Sequence, residues 1–121
     1  MTEAGERDLA RLLSGLNPTL SAERYAFERT ERLNLEDGVF ALIREEEGVT
    51  AIGVSSEGEW ARISLGVHSA LDAVGLTAAF AKALTDAGIS SNVVAALYHD
   101  HIFVQWDRRD DAMKALKSLG G

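Results

Sequence analysis

The three histidines, His68, His99 and His101, together with Asp72, are the residues whose types could carry chemistry. Neutral imidazoles beside a carboxylate form the donor set of zinc and other transition-metal sites. His99 and His101 would share a face only if the strand carrying them were regular, so spacing alone does not define a site. The same side chains also suit hydrogen bonding within a loop, or contact with a small ligand. The second candidate is the segment from Asp72 to Gly75. Gly75 has no Cβ to hold a ligand away, and a following helix offers unpaired N–H groups and a partial positive charge to a carboxylate. Asp72 can accept from an ammonium group, so the segment presents opposite polarity to the two ends of an amino acid. Plainer roles fit equally: a tight turn for Gly75 and a helix cap for Asp72.

Catalytic patterns are missing. There is no serine elbow, phosphate loop, His-Glu-x-x-His pair or cysteine, so the sequence reads as a non-enzyme that needs no cofactor. Glu45, Glu46 and Glu47 beside Gly48 read as the charged rim of a hairpin, and Trp60 and Trp106 as packing residues.

The elements that must position these groups are clearest in the second half. Ile63, Leu65 and Val67 alternate with Arg62, Ser64 and Gly66 in a strand that ends at His68. Leu76, Ala79, Phe80, Ala83, Leu84 and Ala87 then make one helical stripe, with Gly88 placed for a left-handed cap. Two more strands, Asn92 to Leu97 and Ile102 to Trp106, read as a hairpin, and Asp107 as the cap of a last helix. A right-handed crossover makes the first two of these strands parallel with the third between them. That topology predicts that His68, His99, His101 and Asp72 meet along one edge of the sheet. In the first half, a short helix through Leu9, Leu12, Leu13 and Leu16 precedes a strand at Arg24 to Thr30 and a hairpin at Val39 to Ser55. SSEGEW marks a boundary near residue 60.

The 121 residues suit one compact domain or two small intertwined halves. A formal charge of −7 without a basic cluster excludes nucleic acid and anionic membrane as expected partners. The acidic, amphipathic start MTEAGERDLARLL lacks the apolar run of a signal peptide or membrane span, which leads to a cytoplasmic expectation.

The string HSALDAVGLTAAFAKALTDAGISSNVV resembles the first half of an ACT domain, with Asp72, Gly75, Leu76, Gly88, Ile89 and Asn92 at corresponding places. Val74 stands where that family usually has proline. REEEG, VHSALDAVGLTAA, GISSNVVAA and YHDHIFV also make the whole chain similar to small bacterial proteins with two fused ACT-like units. The resemblance implies an α+β, ferredoxin-like antiparallel sheet with helices on one face. It implies an amino-terminal ACT-like half at 1–60, degenerate in form, and a second at 61–121. This second half stops after its last helix, one strand short of the usual unit, and Arg24 to Thr30 is the candidate to fill that place. The implied function is a small-molecule-binding regulatory module, with an amino acid as the expected ligand. Its site would comprise His68, Asp72, Val74, Gly75 and Leu76, with Asn92 reaching the ligand across an interface between units. A homodimer is the expected assembly, with a regulated enzyme of unstated identity as a further partner. The alternative is a metal-binding protein or metal-dependent enzyme on the His68, His99 and His101 edge.

Overall fold

In the computed structural model, which describes residues 5–120, the elements run α1 (Leu9–Ser14), β1 (Pro18–Thr30), β2 (Val39–Glu45), β3 (Gly48–Val54), β4 (Trp60–Leu65), α2 (Leu76–Asp86), β5 (Asn92–Ala95), β6 (Asp100–Gln105) and α3 (Arg109–Leu119). The strands form a six-stranded sheet in the order β2-β3-β1-β4-β6-β5. Each neighbouring pair is antiparallel. β4 and β5 therefore run parallel with β6 between them, as the crossover through α2 requires. This is the α+β, ferredoxin-like architecture with helices on one face.

Strand alternation decides which side chains meet the helices. Ala61, Ile63 and Leu65 of β4 and Ile102 and Val104 of β6 pack with Leu12, Leu76, Phe80, Leu84, Ala112 and Leu116 in the larger core. Leu76, Phe80 and Leu84 recur every fourth residue along α2, one stripe buried against the sheet. Gly88 adopts φ 75°. Its N–H donates to the Thr85 carbonyl and that of Ile89 to the Leu84 carbonyl, both at 2.9 Å, which closes the end of α2. Asp107 does not cap α3. A single 3-10 turn, Trp106–Arg108, precedes that helix, and Arg108 flanks it without a capping side chain.

The amino-terminal half reaches into this unit through β1, which is longer than its period-two pattern indicates. Pro18–Leu20 and Arg24–Tyr25 pair with β4, while Tyr25–Thr30 pair with β3. β1 thus lies beside β4, the place a strand after α3 would take. Between Leu20↔Ile63 and Arg24↔Ala61 the register shifts, with more residues on β1 than on β4. Such a bulge increases local twist and bends the strand.

A second core lies on the helix-free face. Tyr25, Ile52 and Phe103 are buried there with Phe40, Ala41, Trp60 and Val94 against them. Phe40 belongs to the first strand in sheet order and Phe103 to the fifth, yet their ring centroids are 5.5 Å apart. The sheet must curl to bring them together. Among the described residues no helix is long and apolar enough to cross a membrane.

Candidate functional site

The chain leaves β4 at Leu65 and reaches the segment Asp72 to Gly75 through a loop clamped by the residues before α1. The Glu6 N–H donates to the His68 carbonyl at 2.8 Å, and the Ala70 N–H donates to the Glu6 carbonyl at 2.9 Å. Gly5 lies so close that a Cβ there would sit 2.5 Å from the His68 carbonyl oxygen. Gly75 adopts φ 100° and immediately precedes α2, whose start has no side-chain cap. The first N–H groups of that helix are therefore open to an acceptor. Leu76 is buried beneath the turn, whereas Val74 is 85% exposed.

Part of the turn is occupied by the protein itself. Arg7 Nε donates to Asp72 Oδ1 at 2.8 Å and Arg7 Nη2 to Oδ2 at 3.3 Å. A Cβ on Gly75 would meet Leu9 Cδ2 at 3.2 Å. Arg7 thus holds the carboxylate that an ammonium group would otherwise approach. Sequence reading missed this contact because it joins residues far apart along the chain.

Two of the three histidines come together and the third does not. His68 and His99 have ring centroids 6.4 Å apart, and Tyr98 lies 5.8 Å from His68. His68 Nε2 is buried and has no hydrogen-bond partner among the described residues. Asp100, also buried, accepts a long bond of 3.5 Å from Ser69 Oγ. Burial pushes its carboxyl above the ordinary carboxylate range, with Ser69 and the charge of His99 opposing.

His101 corrects the expected cluster. Its neighbours Ile102 and Val104 face the helices, so the pleat turns His101 to the opposite face. There its Nδ1 lies 2.8 Å from Ser64 Oγ and its ring 4.9 Å from Phe40. β6 begins only at Asp100, which leaves His99 outside the regular alternation. The alternation of Ile102 and Val104 with His101, Phe103 and Gln105 was the available signal. The metal alternative has no support: among the described residues no three His, Cys, Asp or Glu side chains are grouped to hold an ion.

The environment of His101 has a pH consequence. Burial first, then the charges of Arg62 and His99, lower its pKa from the ordinary 6.5. The unfolded chain then binds more protons than the folded chain below that value, so stability falls as pH falls through this window. Urea titrations from pH 7 to 5 should show His101→Gln weakening that decline. An unchanged slope would exclude His101 as its source.

The same face carries a network that sequence reading also missed. Arg62 Nε donates to the Tyr25 hydroxyl at 3.0 Å and Nη1 to Ser64 Oγ at 2.7 Å. Its guanidinium lies 4.8 Å from the Phe40 centroid and 5.3 Å from that of Tyr25. Farther along, a shallow concavity of about 650 Å³ runs over Phe27, Ile43, Glu45 and Thr50. Glu45 accepts from the Thr50 hydroxyl there, in keeping with a hairpin rim.

Asn92 is exposed at the start of β5, opposite Phe103 of β6. β5 runs parallel to β4, so it starts at the end of the sheet remote from the Asp72 turn. One chain does not bring Asn92 and Asp72 together.

Residues 55–118 match one model described as an ACT domain, and residues 4–65 match a second with the same description. No curated protein matches the sequence. Among solved structures, a Vibrio cholerae protein of unknown function, described as a possible transport protein, is similar at 39% identity, with 93% of this chain and 96% of that chain covered and a TM-score of 0.76. An Agrobacterium tumefaciens protein is similar at 16% identity over 79% of this chain and 81% of that chain, with a TM-score of 0.59. The regulatory subunit of aspartate kinase from Thermus thermophilus, in its ligand-free form, shares the fold at 7% identity, with coverage of 87% and 98% and a TM-score of 0.63. Each of the two ACT matches spans more than half of the chain, and this protein belongs to the ACT domain family.

Proposed function

We propose that this protein is a ligand-sensing regulatory module that binds a small molecule, an amino acid, at the turn from Asp72 to Gly75. The observation that carries this reading is the uncapped start of α2 behind the left-handed Gly75, beside a loop on which His68 Nε2 is buried with no hydrogen-bond partner among the described residues. Leaving such an atom unsatisfied costs about 1–3 kcal/mol, so a shift of the loop that let a ligand reach it would relieve that deficit. The uncapped start of α2 adds donors for a carboxylate. Val74 and Leu76 would frame the ligand through their backbone.

Arg7 gives this reading a switchable element. Its bond to Asp72 joins side chains that are 58% and 71% exposed, and an exposed ion pair contributes about 0–1 kcal/mol. An ammonium group can therefore replace Arg7 at small cost. Two halves, 1–60 and 61–121, would act together, and two copies would pair as a homodimer in which Asn92 of one approaches the turn of the other. Ligand occupancy would then alter pairing and so reach a regulated enzyme.

Calorimetry with the common amino acids tests the proposal. A binder present at about 100 times its dissociation constant should stabilise the fold by about 2.7 kcal/mol. Asp72→Ala should remove that gain while changing ligand-free stability by about 1 kcal/mol or less. Light scattering should give the mass of a dimer. Unaltered binding in Asp72→Ala would overturn the assignment of the turn. Gly75→Val is a poorer test because φ 100° strains any β-branched residue without ligand.

A further inference from the structure

A cleft of about 350 Å³ opens at the opposite end of the sheet, lined by Arg24, Glu59, Trp60, Gln105, Trp106 and Asp107. We infer that this cleft is a second ligand site that takes a free α-amino acid, with the carboxylate on Arg24, the ammonium between Glu59 and Asp107, and the side chain along the Trp60 indole, since Arg24 and Arg109 already cover the Trp106 ring.

Charge placement carries the inference. Arg24 is half-buried and fixed, with Nε donating to the Gly58 carbonyl at 2.7 Å and the guanidinium 4.8 Å from the Trp106 centroid. Its stem is thereby committed, but its terminal nitrogens make no ion pair among the described residues. Glu59 and Asp107 are likewise without a cation within ion-pair distance among those residues. Opposite charges that wall one cleft without closing on each other leave a space matched to a zwitterion. A guanidinium fork suits a carboxylate, and two carboxylates beside indole rings suit an ammonium group. The volume falls within the range of small-molecule pockets.

The backbone makes the arrangement rigid. The Trp106 N–H donates to the Glu59 carbonyl at 2.8 Å, and Trp60 pairs with Gln105 across β4 and β6. Arg109 also stacks on the Trp106 ring, 3.9 Å from the centroid, and donates to the Trp106 carbonyl at 2.6 Å. The Arg24 and Trp106 side of the cleft is thus held before a ligand arrives, which reduces the ordering cost of binding there, while the exposed Glu59 and Asp107 close on the ammonium.

The chain's two tryptophans both line this cleft, so they report on it directly. Tryptophan emission and indole N–H resonances are to be followed while each common amino acid is added to the full chain at millimolar concentration. At least one should produce a saturable change. The amide of that amino acid and its N-acetyl derivative, each lacking one charge, should not. Glu59→Gln and Asp107→Asn change exposed side chains without described partners, so they should keep the fold and each weaken binding by about tenfold or more. Asp72→Ala should leave this response intact, which separates the cleft from the turn proposed above. Indole signals that no amino acid moves, or a response that persists in both acid-to-amide variants, would overturn the inference.

Discussion

Phe103→Ala should cost about 3–5 kcal/mol, the range for deleting a fully buried phenylalanine. Phe103 is 0% exposed and its ring sits 5.6 Å from Tyr25, 5.3 Å from Phe27 and 5.5 Å from Phe40, each in an edge-to-face arrangement. Those partners come from β1 and β2, so one ring joins strands that are not neighbours in the sheet. Removing it opens a void and also loses edge-to-face contacts worth about 0.5–1.5 kcal/mol each beyond burial. In urea the midpoint should fall sharply with little change in slope. Phe27→Ala is the internal control, since Phe27 is 39% exposed and shares the same face. If Phe103→Ala costs no more than Phe27→Ala, the helix-free face is not a core and the curl of the sheet contributes little.

That core was the least legible part of the fold, although each strand in it carried a recognisable pattern. Phe27, Phe40 and Phe103 each occupy alternating or β-rich runs, but nothing in those runs states that β2 will face β6. Register shifts at two places, between Leu20 and Arg24 on β1 and between Val39 and Ala41 on β2, add the twist that favours that meeting, and a bulge depends on pairing rather than on local periodicity. By contrast β4, α2, β5 and β6 were readable because their burial is local: one stripe on α2, strict alternation in β4, and a left-handed Gly88 at the helix end. The same division holds for the candidate site. The left-handed turn at Gly75 follows from a glycine before an apolar stripe and His101 on the far face from the alternation of β6, whereas Arg7 on Asp72 follows from the path of the chain.

The segment from Glu23 to Glu59, a charge run with ten acidic residues and four arginines, shows why composition is a weak guide at this scale. Glu45 and Glu47 occupy a rim, as the run suggests. Arg24 and Glu59 belong to the same run but are drawn into a cleft by β4 pairing and the turn that precedes it. Averaging over the segment hides two side chains whose neighbours are the indoles of Trp60 and Trp106.

Gly58→Ala should destabilise by about 3 kcal/mol, combining steric overlap of about 1–3 kcal/mol with the loss of hydrogen bonds worth about 1 kcal/mol each. A Cβ at this position would overlap the Tyr25 carbonyl oxygen and lie 2.8 Å from the Tyr25 nitrogen. Backbone atoms cannot rotate aside, so the turn must lift from β1. Lifting strains three bonds: Ser55 N–H to the Arg24 carbonyl at 2.9 Å, Gly58 N–H to the Ser55 carbonyl at 2.9 Å, and Arg24 Nε to the Gly58 carbonyl at 2.7 Å. Gly88→Ala supplies the contrast. A Cβ there meets nothing within 4 Å, and the left-handed φ alone sets a cost of about 1–2 kcal/mol. Gly58 has no such backbone requirement, and its role is to admit the turn against β1, which local sequence does not announce. Because that turn fixes both Arg24 and the entry to Glu59, Gly58→Ala should also abolish the amino-acid response of the two tryptophans at temperatures where the variant is still folded. Wild-type stability in Gly58→Ala would mean that the turn does not press on β1. Arg24 would then lack the anchor that makes its side of the cleft rigid.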